Sequence, residues 1–287
     1  MIPARPLLVL FPLLALFSAG AHAQWLNYPT PGTPRTRDGK PNLAAPAPRV
    51  ADGKPDLSGV WHVEATSLAE WRRLYPGLID TVIALSVPGM ELDTVSKYAA
   101  NILMDFKPEE SPMRPEAAAI FRQRAIGGNP LIGKCLPAGI PVDGLVSEPN
   151  KIVQSPRLIV ILYETDGTHR QIYTDGRALP AEIAQPSWLG YSVGKWDRDT
   201  LVVETAGFND KTALDALGHP HSEALKIVER YHRRDFGHLD VEMTFDDPQM
   251  YTKPFTIKFT EDLLADSDIF EYFCDENEKD RAHVGQK

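Results

Sequence analysis

The sequence predicts a mainly β protein: an antiparallel, up-and-down β-barrel carrying a helical insert and an extended N-terminal arm. Three observations carry this expectation. Beyond Cys135, apolar and polar residues alternate with period two, as in Leu239, Val241, Met243 and Phe245 against Asp240, Glu242, Thr244 and Asp246. The connectors between such runs are short, rich in turn formers such as Asp166-Gly167 and Asp175-Gly176, and leave no room for crossover helices. Residues 24–58 are instead dense in Pro and Gly and almost free of long apolar runs.

Taken in order, residues 1–23 read as a secretory signal. Arg5 supplies the positive end, Pro6 to Phe17 the apolar stretch, and Ala21-His22-Ala23 a small-x-small cleavage site. That stretch is shorter than the roughly 20 residues a membrane span needs, so a periplasmic or secreted chain without membrane insertion is expected. In the arm that follows, Asp38-Gly39-Lys40-Pro41-Asn42-Leu43 recurs as Asp52-Gly53-Lys54-Pro55-Asp56-Leu57, each copy a turn leading into an extended segment. Residues 59–287 form a single barrel domain with its helical insert at about 66–126. Within the insert, Met90–Phe106 and Pro115–Ile126 show helical spacing, and Pro115 suits a first turn.

The strands expected after the insert are Lys151–Ser155, Arg157–Glu164, His169–Thr174, Leu189–Trp196, Thr200–Thr205 and Ala224–His232. The runs around 239–245 and 255–260 and a last segment, Ile269–Cys274, complete the set. A meander of this length closes naturally into a barrel, which removes exposed edges. Gly59-Val60-Trp61 on the first strand resembles the G-x-W opening of the lipocalin and wider calycin barrels. The stretches Asp52–Trp61, Gly190–Phe208 and Gly218–Arg230 resemble a family of exported bacterial proteins common in soil bacteria, a likeness that implies no activity.

Composition excludes some functions. The chain carries 30 basic and 39 acidic residues, and loss of residues 1–23 would leave a net charge of −10. This is the wrong sign for a phosphate backbone, so no nucleic-acid partner is expected. Two cysteines in an exported chain, Cys135 and Cys274, are expected to pair. The bridge would close nearly half the protein, an entropic benefit on the order of 4 kcal/mol.

The densest chemistry is Gly218-His219-Pro220-His221-Ser222-Glu223. His219 and His221 are candidate acid–base groups, or two ligands of a metal ion with Asp210, Asp215 or Glu223 as a third. No H-E-x-x-H or cysteine cluster accompanies them, so the sequence assigns no metal and names no cofactor. On the next strand, Leu225, Ile227, Glu229 and Tyr231 share one face, which sends the Glu229 carboxylate inward to a catalytic role or a salt bridge with a neighbouring Arg. In the other phase Val228 and Arg230 face inward.

Gly190-Tyr191-Ser192-Val193-Gly194 matches the G-x-S-x-G elbow of serine hydrolases, but a β run follows where the elbow requires a helix. Ser192 then reads as a small residue where the sheet bends or another group packs closely. Trp188, Tyr191 and Tyr231 are candidate ligand-binding residues in a barrel pocket. The leading expectation is a binder of a small apolar or aromatic molecule. The alternative is a hydrolase, lyase or isomerase using His219, His221 and Glu229.

Overall fold

The structure, a computed structural model, describes residues 28–80, 94–130 and 135–273. Nine strands close into one barrel in chain order: β1 (Gly59–Val63), β2 (Asn150–Gln154), β3 (Leu158–Tyr163), β4 (His169–Tyr173), β5 (Tyr191–Asp197), β6 (Thr200–Ala206), β7 (Lys226–Arg233), β8 (His238–Asp246) and β9 (Phe255–Leu263). Pairing of β1 with β9, from Trp61↔Leu263 to Val63↔Glu261, completes the ring. Inward positions alternate as the pleat demands, so β8 buries Leu239, Val241, Met243 and Phe245.

One pair departs from the antiparallel expectation. β4 and β5 run parallel, through only Ile172↔Ser192 and Tyr173↔Val193. The reason is the 174–190 connector: it is long enough to return along the barrel wall, and its far end pairs with the continuation of β6 (Ser187 N–H to Gly207 O, 2.9 Å; Asn209 N–H to Ser187 O, 2.9 Å). This leaves a thin seam in the wall. Ile269–Phe273 is not a strand either, because β1 and β9 already satisfy each other's edges; the chain instead lies along the turn after β3, where the Phe270 N–H donates to Glu164 at 2.9 Å.

The insert holds α1 (Leu68–Leu74), α2 (Lys97–Ala100) and α3 (Pro115–Gln123), the last followed by a π turn at Arg124–Gly128. The helix expected over Met90–Phe106 is confined, among the described residues, to α2. It stops at Asn101, whose backbone is extended, and the next amide, Ile102 N–H, donates to the Asp215 carboxylate at 2.7 Å instead of to a helical carbonyl. Tyr98, Ile102 and Leu103 join the barrel's core, so the insert plugs one end. No described helix is long and apolar enough to cross a membrane.

The arm crosses the other end. Arg233, only 4% exposed, stitches it there: its guanidinium donates to the carbonyls of Asp56 (2.5 Å), Ser58 (3.3 Å) and Phe236, and stacks 4.8 Å from the centre of the Trp61 ring. Residues 1–23 and Cys274 lie outside the described residues, and with them the expected signal and the Cys135–Cys274 bridge.

Candidate functional site

The sequence-derived candidates fall into three separate places. The first is the barrel interior. β7 adopts the phase that buries Ile227, Glu229 and Tyr231. The Glu229 side chain is 0% exposed and forms a forked ion pair with Arg170 from β4, one arm at 2.9 Å (Nη1 to Oε1) and the other shorter still. Register assembles the remaining partners: Ser192 stands opposite Thr205, and the two hydroxyls bond each other at 3.0 Å. Arg170 Nε donates to Ser192 Oγ (2.9 Å) and Nη2 to Thr205 Oγ1 (2.6 Å), while the Tyr231 hydroxyl donates to Glu229 Oε1 (2.7 Å).

Burial alone would push the Arg170 guanidinium down; the adjacent Glu229 carboxylate more than offsets this and leaves it raised. Ser192 is thus a ligand of a buried cation, not a nucleophile at an elbow. Gly190 before it is required by geometry: its φ is +65°, and a Cβ there would lie 2.8 Å from Thr205 Cγ2.

Beside this network lies a second buried carboxyl. Glu261 accepts from Asn150 Nδ2 at 3.2 Å through Oε1, while Oε2 is buried without a partner. Burial pushes it up to about 8, with Asn150 opposing and Glu229 reinforcing the shift, so it is a neutral acid at pH 7. The chamber it shares with Tyr163, Tyr231 and Met243 holds about 10 Å³, room for no more than one water. Around Glu229 and Glu261 the described interior is a packed core with a polar centre, and this chamber admits nothing larger than a water.

The second place is the loop between β6 and β7, at the plugged end. His219 and His221 are each 3% exposed, so the His-Pro-His segment sits at a barrel rim but beneath the insert. His219 Nδ1 donates to Asp215 Oδ2 at 2.5 Å, and its ring stacks on Phe121 of α3 with centroids 4.2 Å apart. His221 Nδ1 donates to the Ser222 carbonyl (3.2 Å) and Nε2 accepts from Thr212 Oγ1 (2.6 Å); burial lowers its pKa, keeping the ring neutral. Ser222 is held by Asp247 through both N–H (2.6 Å) and Oγ (2.9 Å).

Asp215, one of the three carboxylates expected as a further metal ligand, is instead the organiser of this loop. It accepts from Ile102 N–H, Gly218 N–H (2.8 Å), His219 N–H (3.1 Å) and the His219 ring. Among the described residues no three His, Cys, Asp or Glu side chains are grouped to hold a metal ion. Replacing Asp215 by Asn turns one acceptor oxygen into a donor facing amide hydrogens. Thermal unfolding should show a loss of about 2–3 kcal/mol, and a loss below about 0.5 kcal/mol would contradict this role.

The third place is the outer wall at the β4–β5 seam. Trp188 and Tyr191 line an open groove of about 470 Å³, where Tyr191 stacks on Tyr173 at 5.3 Å and Arg177 lies 3.8 Å over the Tyr173 ring. Tyr231, expected beside them, is inside the barrel. Among these expected residues only Tyr231 and Glu229 meet, inside the barrel; Trp188 and Tyr191 lie apart from them and from His219 and His221.

A fourth place had no sequence-derived candidate. Between the arm and the barrel end lies a groove of about 550 Å³, walled by Val60, Phe236 and Leu264 on one side and Tyr28, Pro31 and Pro48 on the other. Arg233 and the Lys151–Asp268 pair (2.7 Å) supply polar edges. The duplicated turns of the arm could have signalled this wall, but nothing in their local pattern says what they face. Comparison with protein-family models, curated proteins and solved structures finds no match.

Proposed function

We propose that this protein is an exported binder of a small apolar or aromatic molecule, and that the molecule lies between the arm and the barrel end, not inside the barrel. The observation that carries this reading is the 550 Å³ groove: its size and its apolar walls with a few polar edges are those of small-molecule sites. The packed interior argues against a ligand there. Export rests on the signal-like composition of residues 1–23. A calycin-like barrel belongs to the same proposal, supported by Gly59-Val60-Trp61 opening the first strand of a closed ring in chain order.

The enzymatic alternative draws less support, since Glu229 is neutralised by Arg170 while His219 and His221 are committed to Asp215, Thr212 and Ser222 at the plugged end.

Titration with the neutral fluorophore N-phenylnaphthylamine tests the reading. Leu264→Glu, which places a charge on the groove wall, should weaken binding about tenfold or more, equivalent to about 1.4 kcal/mol. Trp188→Ala, at the seam, should leave it unchanged. The reverse pattern would move the site to the seam groove, and absence of binding to the native protein would end the proposal.

A further inference from the structure

The arm's duplication extends further than the shared Asp-Gly-Lys-Pro. Both copies begin with Pro-Arg, at Pro34-Arg35 and Pro48-Arg49, and both fold identically. In the first, Thr36 N–H donates to Lys40 O (2.9 Å), Gly39 N–H to Thr36 O (3.0 Å) and Arg35 Nη1 to Gly39 O (3.1 Å). In the second, Val50, Gly53 and Arg49 make the same three bonds, to Lys54 O (2.9 Å), Val50 O (2.9 Å) and Gly53 O (2.7 Å). Gly39 and Gly53 share a φ of +82°. Each turn is therefore a frame that holds one guanidinium outward.

Each guanidinium grips one aspartate in a forked pair. Arg35 reaches Asp266, in the turn after β9, at 2.9 and 2.6 Å; Arg49 reaches Asp199, in the β5–β6 turn, at 3.0 and 2.7 Å. The two clasps differ in what else holds the chain beside them. From Leu43 onward the arm is also fixed by backbone bonds to Phe236 and Gly237 and by Arg233 on the carbonyls of Asp56 and Ser58. Between residues 30 and 42, every hydrogen bond to the barrel side, among the described residues, converges on Asp266: from Thr30 N–H (2.7 Å), from Arg35, and from the Asp266 N–H back to Thr30 Oγ1 (3.1 Å).

Tyr28 to Thr33, the segment so held, is one wall of the groove. The clasp is partly exposed, with side chains 30% and 15% accessible, so salt screens it and its net contribution is small. We propose that Asp266 is a latch: release of Thr30 and Arg35 swings the outer turn away and admits the ligand, while the inner turn, held by Asp199 and Arg233, stays in place. This regulation rests on the groove being the binding site.

Asp266→Asn tests the latch, because Asn tolerates the left-handed backbone of this position (φ +63°) while the charge is lost. In stopped-flow mixing with N-phenylnaphthylamine at low salt, the variant should take up the fluorophore about fivefold faster, the size expected for one well-formed surface pair, and the native rate should rise toward it as salt is added. Asp199→Asn should change the rate by less than about twofold. Equal rates and equal salt dependence in native and Asp266→Asn proteins would overturn the latch. Hydrogen exchange reads the same device without a ligand: the Thr36 and Asn42 amides should exchange faster in Asp266→Asn, with Val50 and Asp56 unaffected, and an unchanged outer turn would refute it. Failure of the native protein to bind the fluorophore would count against the groove reading alone.

Discussion

Replacing Arg170 by Met is expected to cost about 3–5 kcal/mol of folding stability, because it leaves the wholly buried Glu229 carboxylate without a counter-charge. Glu229→Met should cost a similar amount by stranding the guanidinium. The double replacement should recover most of the loss, since a buried pair repays little beyond its own desolvation. Recovery should be incomplete: Ser192 and Thr205 keep each other as partners, but the Tyr231 hydroxyl loses its acceptor, at about 1–3 kcal/mol. Denaturant unfolding of the four proteins forms a double-mutant cycle. Single variants each costing under about 1 kcal/mol would mean that water reaches the pair, which a packed interior excludes.

The second large effect depends on pH. Glu261 is pushed up to about 8 in the folded barrel, against about 4.3 for an unfolded Glu. Below the unfolded value both states are protonated and the folded state bears no penalty. Between the two values the unfolded chain has released the proton that the folded chain retains, so stability falls as pH rises, and the loss is complete above about 8. The full span corresponds to about 5 kcal/mol. Glu261→Gln should abolish this share of the decline and be more stable than native protein at pH 8–9. The groups facing Glu261 are Asn150, Tyr163, Tyr231 and the Glu229–Arg170 pair, none of which the substitution alters. Asp143, also raised by burial, keeps a residual slope of the same sign in both proteins. Unfolding profiles from pH 5 to 9 that run parallel for native and Gln variants would contradict the assignment.

Much of the interior was legible along the chain. Phe255, Ile257 and Phe259 share a phase that reaches Glu261, and period two places Glu229 with Ile227 and Tyr231 on one face, although it left open whether that face or the one with Val228 and Arg230 turns inward. Arg170 follows by the same rule from Ile172. What local pattern could not supply was the pairing. Arg170 and Glu229 are 59 residues apart and meet only because the ring brings β4 and β7 to face one centre. The histidine cluster shows the converse: its residue types are conspicuous in sequence, yet both rings are buried, and the Phe121 ring of α3 that stacks on His219 comes from a segment far from the loop.

The sequence by itself determined the mainly β architecture, the arm with its two like turns, the place of the insert and the alternation of the strands, because these depend on residues within one strand or turn of each other. Only the tertiary structure decided that one strand pair is parallel, that the interior is filled around an ion pair, and that a groove of about 550 Å³ lies under the arm. Each of those depends on which surfaces meet once the ring closes, and closure is set by register and connector path across the whole chain.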